Sequence, residues 1–195
     1  MMFWVISMLF ALNSFALEAK TTMSENIFTI KDVEGKSYTV EALPNGLQFK
    51  ELQNKVVFLE FFGHRCPPCN KSIPKYIALQ KKYKDQLAIV AIEVQGLTTA
   101  QTQTFVKEKG INYITISQAD AGMLTEHIAA RASWSGAIPF LIILNHKGEV
   151  QTMQAGLIPE DALANVIETL TKEAKAENNS TKNSKSTLET NTTKK

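Results

Sequence analysis

FFGHRCPPCNKSIP, residues 61–74, holds both cysteines of the 195-residue chain, Cys66 and Cys69. It overlaps KVVFLEFF (55–62), a continuous apolar run of strand length. A helical pattern follows from about Pro68 to Tyr83, with Ile73, Tyr76, Ile77 and Leu79 among its apolar positions. The cysteines therefore stand where a buried strand ends and a helix begins. In open α/β sheets, that carboxyl end of the strands is where function collects.

Working outward, NIFTIKDVEGKSYTVEAL (26–43) reads as two alternating strands joined by a turn at Asp32 to Lys36, a hairpin. QLAIVAIEV (86–94) is a second buried-strand run, and TTAQTQTFVKEKG (98–110) a helix stopped by Gly110. INYITIS (111–117) is a short strand and AGMLTEHIAARA (121–132) a helix. IPFLIILN (138–145) and GEVQTMQAG (148–156) form a hairpin turned at His146, Lys147 and Gly148. PEDALANVIETLTKEA (159–174) closes as an amphipathic helix with Pro159 near its first turn. Strands alternating with helices, then a hairpin and a final helix, predict an α/β sandwich with a mixed central sheet.

The ends differ from this middle. Met1 to Leu17 carries no charged side chain, and its apolar run of about 15 residues suits a signal-peptide core better than a span of roughly 20. Small residues Ser14 and Ala16 place cleavage before Leu17. No Lys or Arg precedes the run, so a retained membrane anchor is the alternative. Either reading exports the rest of the chain. The other end, 173–195, is rich in Lys, Asn, Ser and Thr and reads as disordered from about Ala174. From Lys172 onward it holds six lysines against Glu173, Glu177 and Glu189, whereas the whole chain is only +2. The domain of 24–172 is thus near neutral, and nothing in it resembles a nucleic-acid-binding surface.

Three readings of the cysteine pair compete. A structural disulfide closing a two-residue loop constrains the unfolded chain little. A metal site lacks ligands: tetrahedral zinc takes four, and this chain offers two thiolates with His64 nearby and His127 and His146 distant. A copper site of Cys66, Cys69 and His64 remains an alternative. As a redox pair, Cys66 would lie at a helix amino end, where backbone N–H groups and the helix dipole stabilise a thiolate, with Cys69 one turn inside. An exported chain with a lone CxxC after a strand favours this third reading.

At these residues the chain resembles thioredoxin-like thiol–disulfide oxidoreductases, in particular the exported branch of the TlpA and ResA kind. The resemblance covers about Asn26 to Leu170 and includes an N-terminal β-hairpin extension. Pro74 lies five residues after Cys69, like the thioredoxin helix-kink proline. IPF (138–140) is similar to the cis-proline loop, with Pro139 as the cis residue. Glu60 lies six residues before Cys66, where thioredoxins keep a buried Asp and disulfide isomerases a Glu. Two departures stand out. Arg65 replaces the usual Trp before the first cysteine, and AIVAIEV lacks the Lys that partners the buried acid in thioredoxin.

The resemblance implies a catalytic set of Cys66, Cys69, Glu60 and Pro139, with Arg65, Pro67 and Pro68 tuning the couple and no metal or other cofactor. Cys66 would attack a substrate disulfide, Cys69 would resolve it, and Glu60 would take the Cys69 proton. Pro67 and Pro68 have no N–H, so chiefly Cys69 can donate to the Cys66 sulfur; such a bond to a charged group is worth roughly 1.5–3 kcal/mol. That poverty of donors points to a reductase rather than an oxidase or isomerase. A copper- or haem-assembly carrier is the reading from another class.

Expected substrates are exported disulfide proteins in the periplasm, such as apocytochrome c, and the electron source a membrane protein of the DsbD or CcdA type serving a monomer. Trp134 and Phe140 flank the proline loop and fit either a substrate groove or the core. Glu93 reads as a strand end. In the tail, ENNST (177–181) and ETNTT (189–193) resemble the acceptor sequence of bacterial oligosaccharyltransferases, which makes Asn179 and Asn191 candidate glycan sites.

Overall fold

The computed structural model describes residues 26–191, with side chains as far as Ser180. The signal segment expected at 1–16 lies outside the described residues. Five strands form the central sheet in the order β6-β5-β4-β7-β8. Its middle strand, β4 (Val56–Phe62), pairs parallel with β5 (Leu87–Glu93), which pairs parallel with β6 (Ile114–Ser117). On the other side β4 pairs antiparallel with β7 (Phe140–Leu144), and β7 with β8 (Val150–Ala155). The sheet is mixed, as expected.

All seven residues of β4 and all seven of β5 are buried, because both faces of the sheet are covered. The two faces separate by strand alternation. Val57, Leu59 and Phe61 face a core shared with the N-terminal sheet and with α4 (Met123–Ala132). Val56, Phe58 and Phe62 face a core shared with α1 (Pro67–Lys82) and α5 (Glu160–Asn191). Glu60 has the parity of this second set, so its carboxyl lies on the α1 side, beneath the cysteines. Helix α2 (Thr99–Lys109) joins β5 to β6. It opens on a capping box between Thr98 and Gln101 and ends at Gly110 with φ 63°.

The N-terminal hairpin is present as β1 (Ile27–Lys31) and β2 (Ser37–Leu43). Asp32 shapes its turn by accepting from the backbone N–H of Glu34 and Lys36 and from the Tyr38 hydroxyl. A third strand, β3 (Gly46–Phe49), extends the expected pair into a three-stranded sheet. Beyond it the Leu47 N–H donates to Gly148 O and the Val150 N–H to Asn45 O, which ties this sheet to the β7–β8 turn. The helix expected at 121–132 is two pieces, α3 (Gln118–Ala121) and α4, divided at Gly122 (φ 52°, ψ −138°).

The chain beyond Ala174 differs from the expected disordered tail. Helix α5 continues past Lys172 to Asn191, with no Gly or Pro in its 32 residues to stop it. Glu177 fastens the extension to the β7–β8 turn through Lys147 Nζ at 2.6 Å and His146 Nε2 at 3.3 Å. Asn179 is exposed on this helix; the side chain of Asn191 lies outside the described residues.

Candidate active site

Strand β4 delivers the chain through Gly63, His64 and Arg65 to Cys66, the N-cap of α1. Pro67 and Pro68 occupy the first two helical positions, where a missing N–H leaves no helical bond unmade. One free donor remains near the cap sulfur: Cys69 N–H, 3.2 Å from Cys66 Sγ. The two sulfurs form a disulfide, with Cα atoms 5.2 Å apart. Cys66 is 5% exposed and Cys69 1%, so Cys66 is the more accessible of two largely buried sulfurs. Arg65 and Pro67 are exposed beside them, and Pro74 is exposed inside α1.

The loop before β7 closes over the pair. The Ile138–Pro139 bond is cis, and Ile138 O lies 3.8 Å from Cys66 Sγ. Pro139 O accepts from Gly156 N–H at 2.8 Å, which pins this loop to the end of β8. Trp134 stacks on Phe61, ring centroids 4.6 Å apart, and its indole N–H donates to Ala137 O at 2.7 Å. Phe140 is buried in the same aromatic group. These two rings therefore support the loop from the core side.

Glu60 is 1% exposed, and its Oε1 has no hydrogen-bond partner. Burial pushes its carboxyl up to about 8, opposed only in part by a hydrogen bond with Tyr76. Tyr76 and Tyr113 meet edge to face beside it, ring centroids 6.2 Å apart, and proximity to Glu60 adds to the rise of both phenols above their ordinary range, where burial is the main cause. The buried acid thus has two tyrosines beside it, and the strand AIVAIEV supplies no lysine. A carboxyl that exchanges its proton near neutrality, under the helix carrying Cys69, is suited to proton transfer at that thiol.

A second buried acid, Glu93, is fully enclosed at the end of β5. His64 Nδ1 lies 2.9 Å from its Oε1. From the sequence alone Glu93 reads as a strand end and His64 as a candidate copper ligand. The available signal was an acid closing a seven-residue apolar strand. Among the described residues, no group of three or more His, Cys, Asp or Glu is placed to hold a metal ion.

The sequence profile of the AhpC/TSA family matches residues 16–153. The chain belongs to the AhpC/TSA family. Among similar proteins, "Thiol-disulfide oxidoreductase ResA" of Halalkalibacterium halodurans is 26% identical over 75% of this chain and 75% of its own. ResA of Bacillus subtilis is 26% identical over 70% of this chain and 68% of its own. The crystal structure of StoA from Bacillus subtilis shares the fold, with TM-score 0.52 at 20% identity over 70% of this chain and 92% of that one. This member of the AhpC/TSA family is a thioredoxin-like, ResA-like thiol–disulfide oxidoreductase.

Proposed function

We propose that the chain is an exported reductase of protein disulfides, with Cys66 as nucleophile and Cys69 as resolving thiol. The observation that carries this reading is the setting of the Cys66 sulfur. It meets one backbone donor, Cys69 N–H, and one backbone acceptor, Ile138 O. A thiolate there gains little, so the dithiol form is less favoured than in a site rich in donors and the couple is the more reducing.

The reaction balances as two exchanges. Cys66 thiolate attacks one sulfur of a substrate disulfide; that S–S bond breaks, a mixed disulfide forms, and the displaced substrate thiolate takes a proton. Cys69 then gives its proton to Glu60 and attacks Cys66 Sγ, which releases the second substrate thiol and leaves the 66–69 disulfide. The substrate gains two electrons and the protein loses two. The loop at Ile138–Pro139 offers backbone to an extended substrate segment, and Arg65 and Pro67 form the exposed rim.

Restoring the dithiol needs a donor dithiol, supplied in this reading by a membrane protein of the DsbD or CcdA type. The apolar opening of the sequence supports a periplasmic location, cleaved or anchored. Apocytochrome c and other exported cysteine pairs are the substrate class, and the protein acts as a monomer without metal. Equilibrating the 66–69 couple against glutathione or thioredoxin tests the direction. A potential near −250 mV or below supports the reductase, and one near −120 mV makes the protein an oxidant.

A further inference from the structure

We propose that Glu93, His64 and Gln95 form a bracket that positions Cys66, with His64 as a positioning residue for the exchange. This deepens the reading of Cys66 as nucleophile and rests on it.

Enclosing a carboxylate is costly unless its oxygens are satisfied. Glu93 Oε1 accepts from His64 Nδ1 at 2.9 Å, from Gln95 N–H at 3.0 Å and from His64 N–H at 3.4 Å. Its Oε2 accepts from Leu97 N–H at 3.0 Å. Two of these four contacts come from one residue, two positions before Cys66. An apolar side chain at 93 would simply continue the buried strand, so the packing of β5 gives no reason for an acid there.

Gln95 grips the residues on either side. Its Oε1 accepts from Arg65 N–H at 2.9 Å, and a Cβ on Gly63 would sit 2.3 Å from its Cδ. From the helix side, Asn70 Nδ2 donates to both His64 O and Cys66 O at 3.1 Å. His64 is thus held by the last residue of β5, and Gly63 and Arg65 are flanked by Gln95 just after it, while α1 holds the cap itself. The single N–H that reaches Cys66 Sγ is aligned only while Cys66 keeps its cap conformation, and the bracket fixes the chain that leads into it. With Nδ1 against Glu93 Oε1, the imidazole is oriented with Nε2 away from the carboxylate.

The test is the alkylation rate of each thiol in the reduced full chain across pH, read by mass spectrometry of the labelled peptides, with the redox potential measured alongside. His64→Ala is expected to slow Cys66 alkylation at pH 7 by about threefold, half a unit of thiol acidity, and to lower the potential. His64→Asn places an amide donor where Nδ1 stands and is expected to restore the rate to within about twofold of the unsubstituted chain. Gln95→Ala is expected to act in the same direction as His64→Ala, less strongly. An unchanged Cys66 profile in His64→Ala, with only the melting temperature lowered, would overturn the proposal; so would failure of His64→Asn to restore the rate. If His64→Ala does not fold, an unchanged Cys66 profile in Gln95→Ala overturns it equally. Failure of the underlying reading looks different: Cys69 would alkylate before Cys66 in the unsubstituted chain.

Discussion

Ile138 and Cys66 are 72 residues apart in sequence, yet the Ile138 carbonyl oxygen lies 3.8 Å from Cys66 Sγ. A carbonyl lone pair beside sulfur favours a thiol over a thiolate, and Cys69 N–H, at 3.2 Å, favours the reverse. In the proposed mechanism the reactivity of Cys66 is the balance of these two backbone groups, with His64 and its partners holding the geometry in which they compete.

The order of attack has a direct readout. If Cys66 is the nucleophile and Cys69 resolves, as proposed, Cys69→Ser is expected to accumulate mixed disulfides with exported proteins. Cys66→Ser is expected to accumulate none. Trapping by Cys66→Ser alone, read on non-reducing gels, would reverse the two assignments.

Glu60 makes stability depend on pH. Its carboxyl ionises near 4.5 in the unfolded chain and near 8 in the fold. Between those values the folded state binds the extra proton, so stability is fully present below about pH 4.5, falls as pH rises, and levels off above about pH 8. The whole change is on the order of 5 kcal/mol, at about 1.4 kcal/mol per unit. Glu60→Gln is expected to flatten this slope in urea unfolding of the oxidised protein. The same substitution is expected to slow resolution by Cys69 and to flatten its pH profile. A Glu60→Gln protein with the unsubstituted slope and unchanged kinetics from pH 5 to 9 would remove Glu60 from both roles.

Gly46 sets how closely the two sheets approach. A Cβ there would sit 1.9 Å from Gly148 O, a contact that only backbone movement relieves. Gly46→Ala is expected to lower stability by about 2–3 kcal/mol, in the upper range for overpacking. The potential of the 66–69 couple is expected to stay unchanged, because the cysteines lie on the opposite face of the central sheet. Denaturant unfolding and redox titration of the same protein separate the two outcomes.

The acceptor windows of the last helix are expected to carry glycans at Asn179 and Asn191 in a host with a bacterial oligosaccharyltransferase. The acid two positions before Asn179 is Glu177, already engaged with Lys147 and His146. Lys147→Ala is therefore expected to raise occupancy at Asn179. Unmodified C-terminal peptides, seen by mass spectrometry in a host that glycosylates other exported proteins, would end the idea.

The central sheet was legible because its strands are unbroken apolar runs punctuated by Gly, Pro and caps, and periodicity reads such segments well. The elements that escaped are the short ones. GLQF, four residues, is too brief to show alternation; it pairs with β2 and is tied on its other side to a turn a hundred residues away. Gly122 splits a helix through its backbone angles while the side-chain pattern runs on across it. Continuation of α5 depends on contacts with His146 and Lys147 that composition does not register. At the candidate site, the cysteines, Glu60 and Pro139 announced themselves by spacing along one segment or against a known pattern. Glu93, His64 and Gln95 did not, because the bracket joins two loops about 30 residues apart and consists mainly of bonds to backbone N–H groups, which have no letter in a sequence.

The two prolines at the start of α1 leave this chain unusually easy to retune. Every proline codon lies one base change from codons for residues such as Ser, Ala or Thr that carry an N–H, and the first helical turn accepts those residues at small cost. A change at Pro68, the second helical position, would bring one more donor within reach of Cys66 and is expected to raise the potential of the couple, while sheet, loop and buried acid stay as they are. The potential of the couple can thus be shifted by a single substitution while the fold that carries it is kept.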